Sequence, residues 1–145
     1  MAPTYAGRRR VLVFAGGESK PATGGLLSID PANGHVDFEF PWRGDRYESV
    51  NASSPIVVGE RVFVSECYGA GGAMVDATGK KIWENAGFGM HFMCPIALGG
   101  HLYGVVNHGP SDSEFVCVDA ATGKEAWRHQ PIWTEQVAGR RGTQE

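Results

Sequence analysis

One pattern recurs three times along the chain and leaves few folds open to it. An apolar run ends in Asp, a Gly follows three or four residues later, and four residues after that comes an aromatic. The copies are "IDPANGHVDFEF" (Ile29 to Phe40), "VDATGKKIWEN" (Val75 to Asn85) and "VDAATGKEAWRH" (Val118 to His129). The key positions are Asp30, Gly34 and Phe38; Asp76, Gly79 and Trp83; Asp119, Gly123 and Trp127. The aromatics stand 45 and 44 residues apart. A period in this range marks a stacked or radial array rather than a single folded motif.

The rest of each repeat follows the same order. Pro-x-x-x-Gly occurs at Pro3–Gly7, Pro55–Gly59 and Pro95–Gly99. An apolar run comes next: "VLVFA", "VFVSE" or "LYGVV". Each repeat thus offers four short strands, here called A (after the Pro), B, C (ending in Asp) and D (holding the aromatic). Alternation supports strands over helices: in "ERVFVSE", Val62 and Val64 point one way, Arg61, Phe63 and Ser65 the other. Glycine supplies 21 of 145 residues, about twice the typical share of roughly 7%. That density breaks helices and feeds turns.

The Asp–Gly pair has a local explanation. Asp accepts backbone hydrogen bonds just ahead of itself, and Gly takes the left-handed conformation that closes a hairpin. "TGK" is therefore a turn. A P-loop needs Gly-x-x-x-x-Gly-Lys-Ser/Thr before a helix, which this chain lacks.

Four-stranded units at this period predict an all-β partial β-propeller with three antiparallel blades: about 3–43, 53–85 and 94–129, within a segment 1–133. Residues 134–145 form a polar tail, read as the start of another blade or as unstructured. A closed propeller needs about four to eight blades. Three blades leave two sheet faces to cover, either by other blades of a longer parent or by self-association. A pair of chains would bring six.

The motif Val/Ile-Asp-x-x-Thr/Asn-Gly-Lys-x-x-Trp resembles the PQQ repeat of quinoprotein dehydrogenases and BamB-like outer-membrane assembly proteins. The likeness covers about residues 3–130. The first copy departs from it, with Asn33, His35 and Phe38 in place of Thr, Lys and Trp. The resemblance implies an extracytoplasmic binding or interaction scaffold whose parent is periplasmic or secreted. Its alternative implication is a fragment of a PQQ-dependent alcohol or sugar dehydrogenase, with PQQ stacked on a Trp and calcium held by Glu, Asn and Asp. Glu66, Asn107 and Asp112 could serve such a centre in a full-length parent, but no adjacent cysteine pair is present. No cofactor is evident from the residues themselves, and whether the chain is an enzyme stays open.

In a propeller, B–C loops and the D-to-A connections share one face. The segments Gly16–Gly25, Arg43–Ser53, Glu66–Gly72, Ala86–Met93 and Asn107–Glu114 should lie there. Loops carried by a rigid scaffold hold most binding residues. The candidate ligand-binding residues are Arg43, Glu66, Tyr68, His91, Asn107 and His108, against a bland reading of ordinary loop hydrogen bonding. Trp42 and Trp133 read as packing residues.

Composition excludes several classes. A net charge of −3 provides no basic field for nucleic acid. Arg8, Arg9 and Arg10 form the one basic run and read as a solvated turn. No apolar run approaches the roughly 18–20 residues of a membrane span. "MAPTYAGRRR" lacks the apolar stretch of a signal peptide. Cys67, Cys94 and Cys117 make no disulfide framework, though a Cys67–Cys94 bridge remains open. "HFMC" has zinc-like spacing without a second ligand pair, so no metal site is expected.

Overall fold

The structure, a computed structural model, describes residues 3–107 and 112–130, with two short strands beyond them. Three meandering antiparallel sheets follow one another along the chain. The first contains β3 (Val11–Ser19), β4 (Ala22–Ile29) and β5 (Val36–Pro41), preceded by a separate hairpin of β1 (Thr4–Tyr5) and β2 (Arg8–Arg9). The second contains β6 (Ile56–Val58), β7 (Arg61–Glu66), β8 (Gly71–Val75) and β9 (Lys81–Asn85). The third contains β10 (Ile96–Leu98), β11 (His101–Val106), β12 (Glu114–Asp119) and β13 (Glu125–His129). A small hairpin of β14 (Glu135–Gln136) and β15 (Thr143–Gln144) follows. Among the described residues no helix occurs, and none is long and apolar enough to cross a membrane.

The repeated motif builds the same corner three times. A register shift falls at Ser28/Ile29, Met74/Val75 and Cys117/Val118, just before each Asp. The bulge sharpens the local twist and delivers the Asp to its turn. Asp76 Oδ1 accepts from Thr78 N at 2.8 Å, Thr78 Oγ1 at 2.7 Å and Lys80 N at 3.0 Å. Asp119 Oδ1 accepts from Thr122 N and Thr122 Oγ1, each at 2.8 Å. These bonds, the Thr hydroxyls first, hold both carboxyls below the usual Asp range.

Gly79 and Gly123 have φ of +82° and +71°, so any side chain would be strained there. They have a second reason to be Gly. A Cβ at 79 would stand 2.5 Å from the Phe38 ring, and one at 123 would stand 2.4 Å from the Trp83 ring. The turn of each blade is therefore the seat for the aromatic of the blade before it. Trp83 Nε1 donates to Ala120 O at 3.1 Å, and Asn85 Nδ2 donates to Gly123 O at 2.8 Å.

Two cores result, one at each blade junction. Leu12, Leu26 and Phe38 of the first blade, with Tyr5, meet Val62, Val64, Ala73 and Val75 of the second. Phe63, Met74 and Trp83 on the other side of the second blade, with Phe88 and Met90 of the following loop, meet Leu102, Val106, Val116 and Val118 of the third. An aromatic-bearing face thus meets an aliphatic face at each junction. Area-proportional burial of such side chains is the main stabilising term.

Several expectations need correction. The first repeat does not place its A strand in its sheet. Its chain turns early at Ala6–Gly7, and Arg10 interrupts the pairing by turning inward. Arg10 is not a solvated turn residue: it is buried and ion-paired with Asp37, and with Asp30 at 3.3 Å. Gly16–Gly25 is not a long loop, because β3 and β4 run on to a tight turn at Lys20–Pro21. Trp127 does not bury as its counterparts do, remaining 42% exposed against 8% for Trp83. All three cysteines are free thiols, so Cys67 and Cys94 are not bridged.

Candidate functional site

In a meander, the A–B and C–D turns share one end of the sheet and the B–C turn takes the other. The structure brings the B–C ends together with the D-to-A connections. Asn51 Nδ2 donates to Ala15 O at 2.7 Å, Ser53 Oγ to Met93 O at 2.5 Å, and Met90 bridges Asn107. The six candidate residues do not form one ring. They divide between two junctions, with Tyr68 beside the second, and His108 lies outside the described residues.

At the first junction, residues 42–55 cross from β5 to β6 over the ends of β3 and β7. An open cleft of about 680 Å³ is lined by Gly16, Gly17, Arg43, Ser49 and Asn51, with Tyr47 at its rim. The Arg43 guanidinium lies across Gly16: a Cβ there would stand 2.6 Å from Nη1. Glu66, at the end of β7, is fully buried behind Ser49, whose Oγ donates to Glu66 Oε1 at 2.6 Å. Gly44 lets the loop close over this carboxylate, as a Cβ at 44 would stand 3.1 Å from Oε2.

Three buried atoms in this group have no hydrogen-bond partner: Arg43 Nε, Asn51 Oδ1 and Glu66 Oε2. Burial pushes the Glu66 carboxyl above the usual Glu range, against the opposing pull of Ser49 and of the Arg43 charge. Buried polar groups are normally paired, and exceptions concentrate where something else binds or titrates. Arg43 and Asn51 both line the cleft, and each carries a buried polar atom without a partner.

At the second junction, His91 is buried between Phe92, stacked at 3.7 Å, and Tyr68, edge-on at 5.2 Å. His91 and Asn107 line a smaller cavity of about 170 Å³ with Phe92, Met93, Val105 and Ser113. Asn107 Nδ2 donates to Asp112 O at 2.7 Å, so its amide is engaged locally. Cys67 is buried beside Glu66, and desolvation foremost pushes its thiol up to about 11. Among the described residues no three His, Cys, Asp or Glu side chains gather as a cation site.

Ser49, Asn51, Gly16 and Gly44 were not singled out by sequence. Nothing in residues 42–55 repeats, so no periodic signal marks them; only the fold shows that this segment crosses Glu66.

No curated protein matches the chain. Among solved structures, BamB from Moraxella catarrhalis matches with a TM-score of 0.60 and 16% identity. The match covers 88% of this chain and 35% of that one, so the chain spans about a third of that relative's length. At this identity the likeness shows the fold, a β-propeller of the same kind. A family model described as outer membrane protein assembly factor BamB matches residues 2–129, nearly all of the three repeats, and the chain belongs to that family of propeller-repeat proteins.

Proposed function

We propose that the chain works outside the cytoplasm as a protein-binding scaffold and that the cleft over Gly16 and Gly17 is its contact site. The observation that carries this reading is the set of unpartnered Arg43 Nε and Asn51 Oδ1 atoms beside an open cleft rimmed by Tyr47, which is 86% exposed. Arg and Tyr are the residue types that most often anchor protein interfaces. Arg43 and Asn51 line one cleft and bring the donor and acceptor types that the amides of an extended peptide need. The family description, an outer-membrane assembly factor, agrees with an interaction role rather than a catalytic one.

A quinone–calcium centre fits the residues present less well. Glu66 is committed to Ser49 and sealed under Gly44, while the Asn107 amide is turned to its own loop. Their hydrogen bonds engage Glu66 and Asn107 at different junctions.

Site-specific photocrosslinking tests the reading. A crosslinker at position 47 should form a discrete adduct with an envelope protein, and Arg43→Ala should reduce it about tenfold, the cost of one anchor contact. The same probe at Glu60, in the opposite turn, should form none. Equal labelling at 47 and 60, or labelling indifferent to Arg43, would overturn the proposal.

A further inference from the structure

We propose that Glu66 is a proton-operated latch that decides where Arg43 lies: over Gly16 in the cleft while the carboxyl keeps its proton, and on Glu66 Oε2 once the proton is lost. The latch itself stands on the first junction alone; its effect on a partner rests on the cleft reading above.

Two buried atoms of this junction each lack what the other offers. Arg43 Nε is a donor without an acceptor, and Glu66 Oε2 is an acceptor without a donor. Glu66 is fully buried, so bulk water does not reach its free oxygen. A lone ionised carboxylate is strongly disfavoured in such a place, whereas a protonated one is tolerated. Burial, the largest cause, accordingly holds the carboxyl above the usual Glu range, against Ser49, the Ala70 N–H and the Arg43 charge.

The chain leaves room for both positions of Arg43. Gly16 admits the guanidinium in the cleft, since a Cβ there would stand 2.6 Å from Nη1. Gly44, the next residue along, leaves space at the carboxyl: a Cβ there would stand 3.1 Å from Oε2 and 3.2 Å from Ser49 Oγ. Ser49 Oγ already donates to Oε1 at 2.6 Å, which leaves Oε2 as the open oxygen. A side chain as long as Arg, attached one residue from that gap, can fold back to fill it. The bond gained is charge-assisted, roughly twice as strong as a neutral one.

The groups around Glu66 leave Arg43 as the counter-charge. The crossing segment brings Arg43, Ser49 and, at the cleft wall, Glu48. The strand of Glu66 and its turn bring Cys67 and Tyr68, both raised by burial first and then by neighbouring negative charge, Glu66 included. Asp112 acts on Cys67 from the third blade. Gly89 packs against Glu66 O and carries no charge. Of all these groups Arg43 is the one cation.

On opening, the carboxyl releases its proton to solvent, and Arg43 stays a cation in both states. The coupling is reciprocal. A partner that holds Arg43 in the cleft deprives ionised Glu66 of its counter-charge and so favours the protonated form. Partner binding and proton binding therefore strengthen each other.

A nuclear magnetic resonance titration of the 145-residue chain between about pH 4 and about pH 8 tests the latch. The Gly16 signals, beside the guanidinium in the acid form, should shift with the same midpoint as the Glu66 carboxyl carbon. In Glu66→Gln they should hold their acid-form positions throughout. In Arg43→Ala, Glu66 should titrate without moving Gly16. Gly16 still moving in Glu66→Gln, as titration of Glu48 would cause, would overturn the latch. So would a wild-type Glu66 that titrates with Gly16 unmoved, or that does not titrate in this range. If circular dichroism shows that Glu66→Gln loses its strands, Arg43→Ala decides: a Gly16 shift without Arg43 sinks the idea. The photocrosslinker at position 47 separates the latch from the contact reading. Its adduct should fall about tenfold above the midpoint in the wild type and stay constant in Glu66→Gln. An adduct indifferent to pH would overturn the gating of the contact. No adduct at any pH would overturn the contact site alone, since the Gly16 shifts decide the latch.

Discussion

Trp83 and Trp127 occupy the same slot in the same repeat, yet they live in different environments. Trp83 is buried on Gly123, hydrogen-bonded to Ala120 O and packed against Phe63. Among the described residues Trp127 packs on its own sheet, edge-on to Phe115, with 42% of its surface open. The two positions follow the same motif, and among the described residues a following turn seats Trp83 alone. Burial of a propeller residue is thus a property of the junction rather than of the blade.

The sharpest break of this comparison is a pair of truncations. Trp83→Ala should cost about 3–5 kcal/mol, as for large buried aromatics, and the loss is read from chemical denaturation. Trp127→Ala should cost far less in the isolated chain, about 1 kcal/mol or under, because much of its surface is already wet. Equal costs would mean that Trp127 is covered.

The turn glycines sharpen the same contrast at a smaller scale. Gly123→Ala meets both a left-handed backbone and the Trp83 ring, and should cost about 2–4 kcal/mol. Gly34→Ala meets only the backbone strain, at about 1–2 kcal/mol. If both cost the same, the seat for the aromatic contributes nothing.

Glu66 separates the first junction from the second, which has no buried carboxylate among its described residues. Its folded pKa lies above that of the unfolded chain, so the folded state binds the proton more tightly. Stability should therefore fall as pH rises from the unfolded carboxyl range through the folded pKa, and stay lower above it. Glu66→Gln should flatten that slope and raise stability near neutrality by about 1 kcal/mol, the scale of an unpaired buried acceptor. Thermal melts across this pH range decide; an unchanged slope would show that Glu66 does not carry it.

The smallest test uses the thiols. Cys94 is exposed, while the Cys67 thiol is buried and pushed up to about 11. Alkylation at neutral pH followed by peptide mass analysis should label Cys94 first. Rapid labelling of Cys67 would mean that the first junction opens readily.

Blade identity was legible because strand alternation, Asp-initiated turns and left-handed glycines are local. Each depends on residues within a few positions of one another, so "VDATGKKIWEN" is enough to specify its hairpin. The strand boundaries of the first repeat were less legible. Arg10 looks like a surface residue until Asp30 and Asp37 stand beside it. Gly16–Gly25 reads as a loop until the register of β3 on β4 extends the strands.

The candidate cleft was legible only in part. Arg43 and Glu66 stood out as charged residues in connections, but Ser49, Asn51 and the close approach of Gly44 depend on contacts between segments 17 to 36 residues apart. Nor could the sequence show that His91 and Asn107 belong to a different junction from Arg43.

By itself, then, the sequence determined the repeat, its hairpins and the positions of the packing aromatics, since these follow from local backbone and side-chain preferences. The tertiary structure alone decided which aromatics are buried, that Glu66 is sealed and Arg43 left facing a cleft, and that one face is left aromatic and the other aliphatic. Those outcomes depend on which surfaces meet, and desolvation acts on contacts between segments rather than on the order of residues within one.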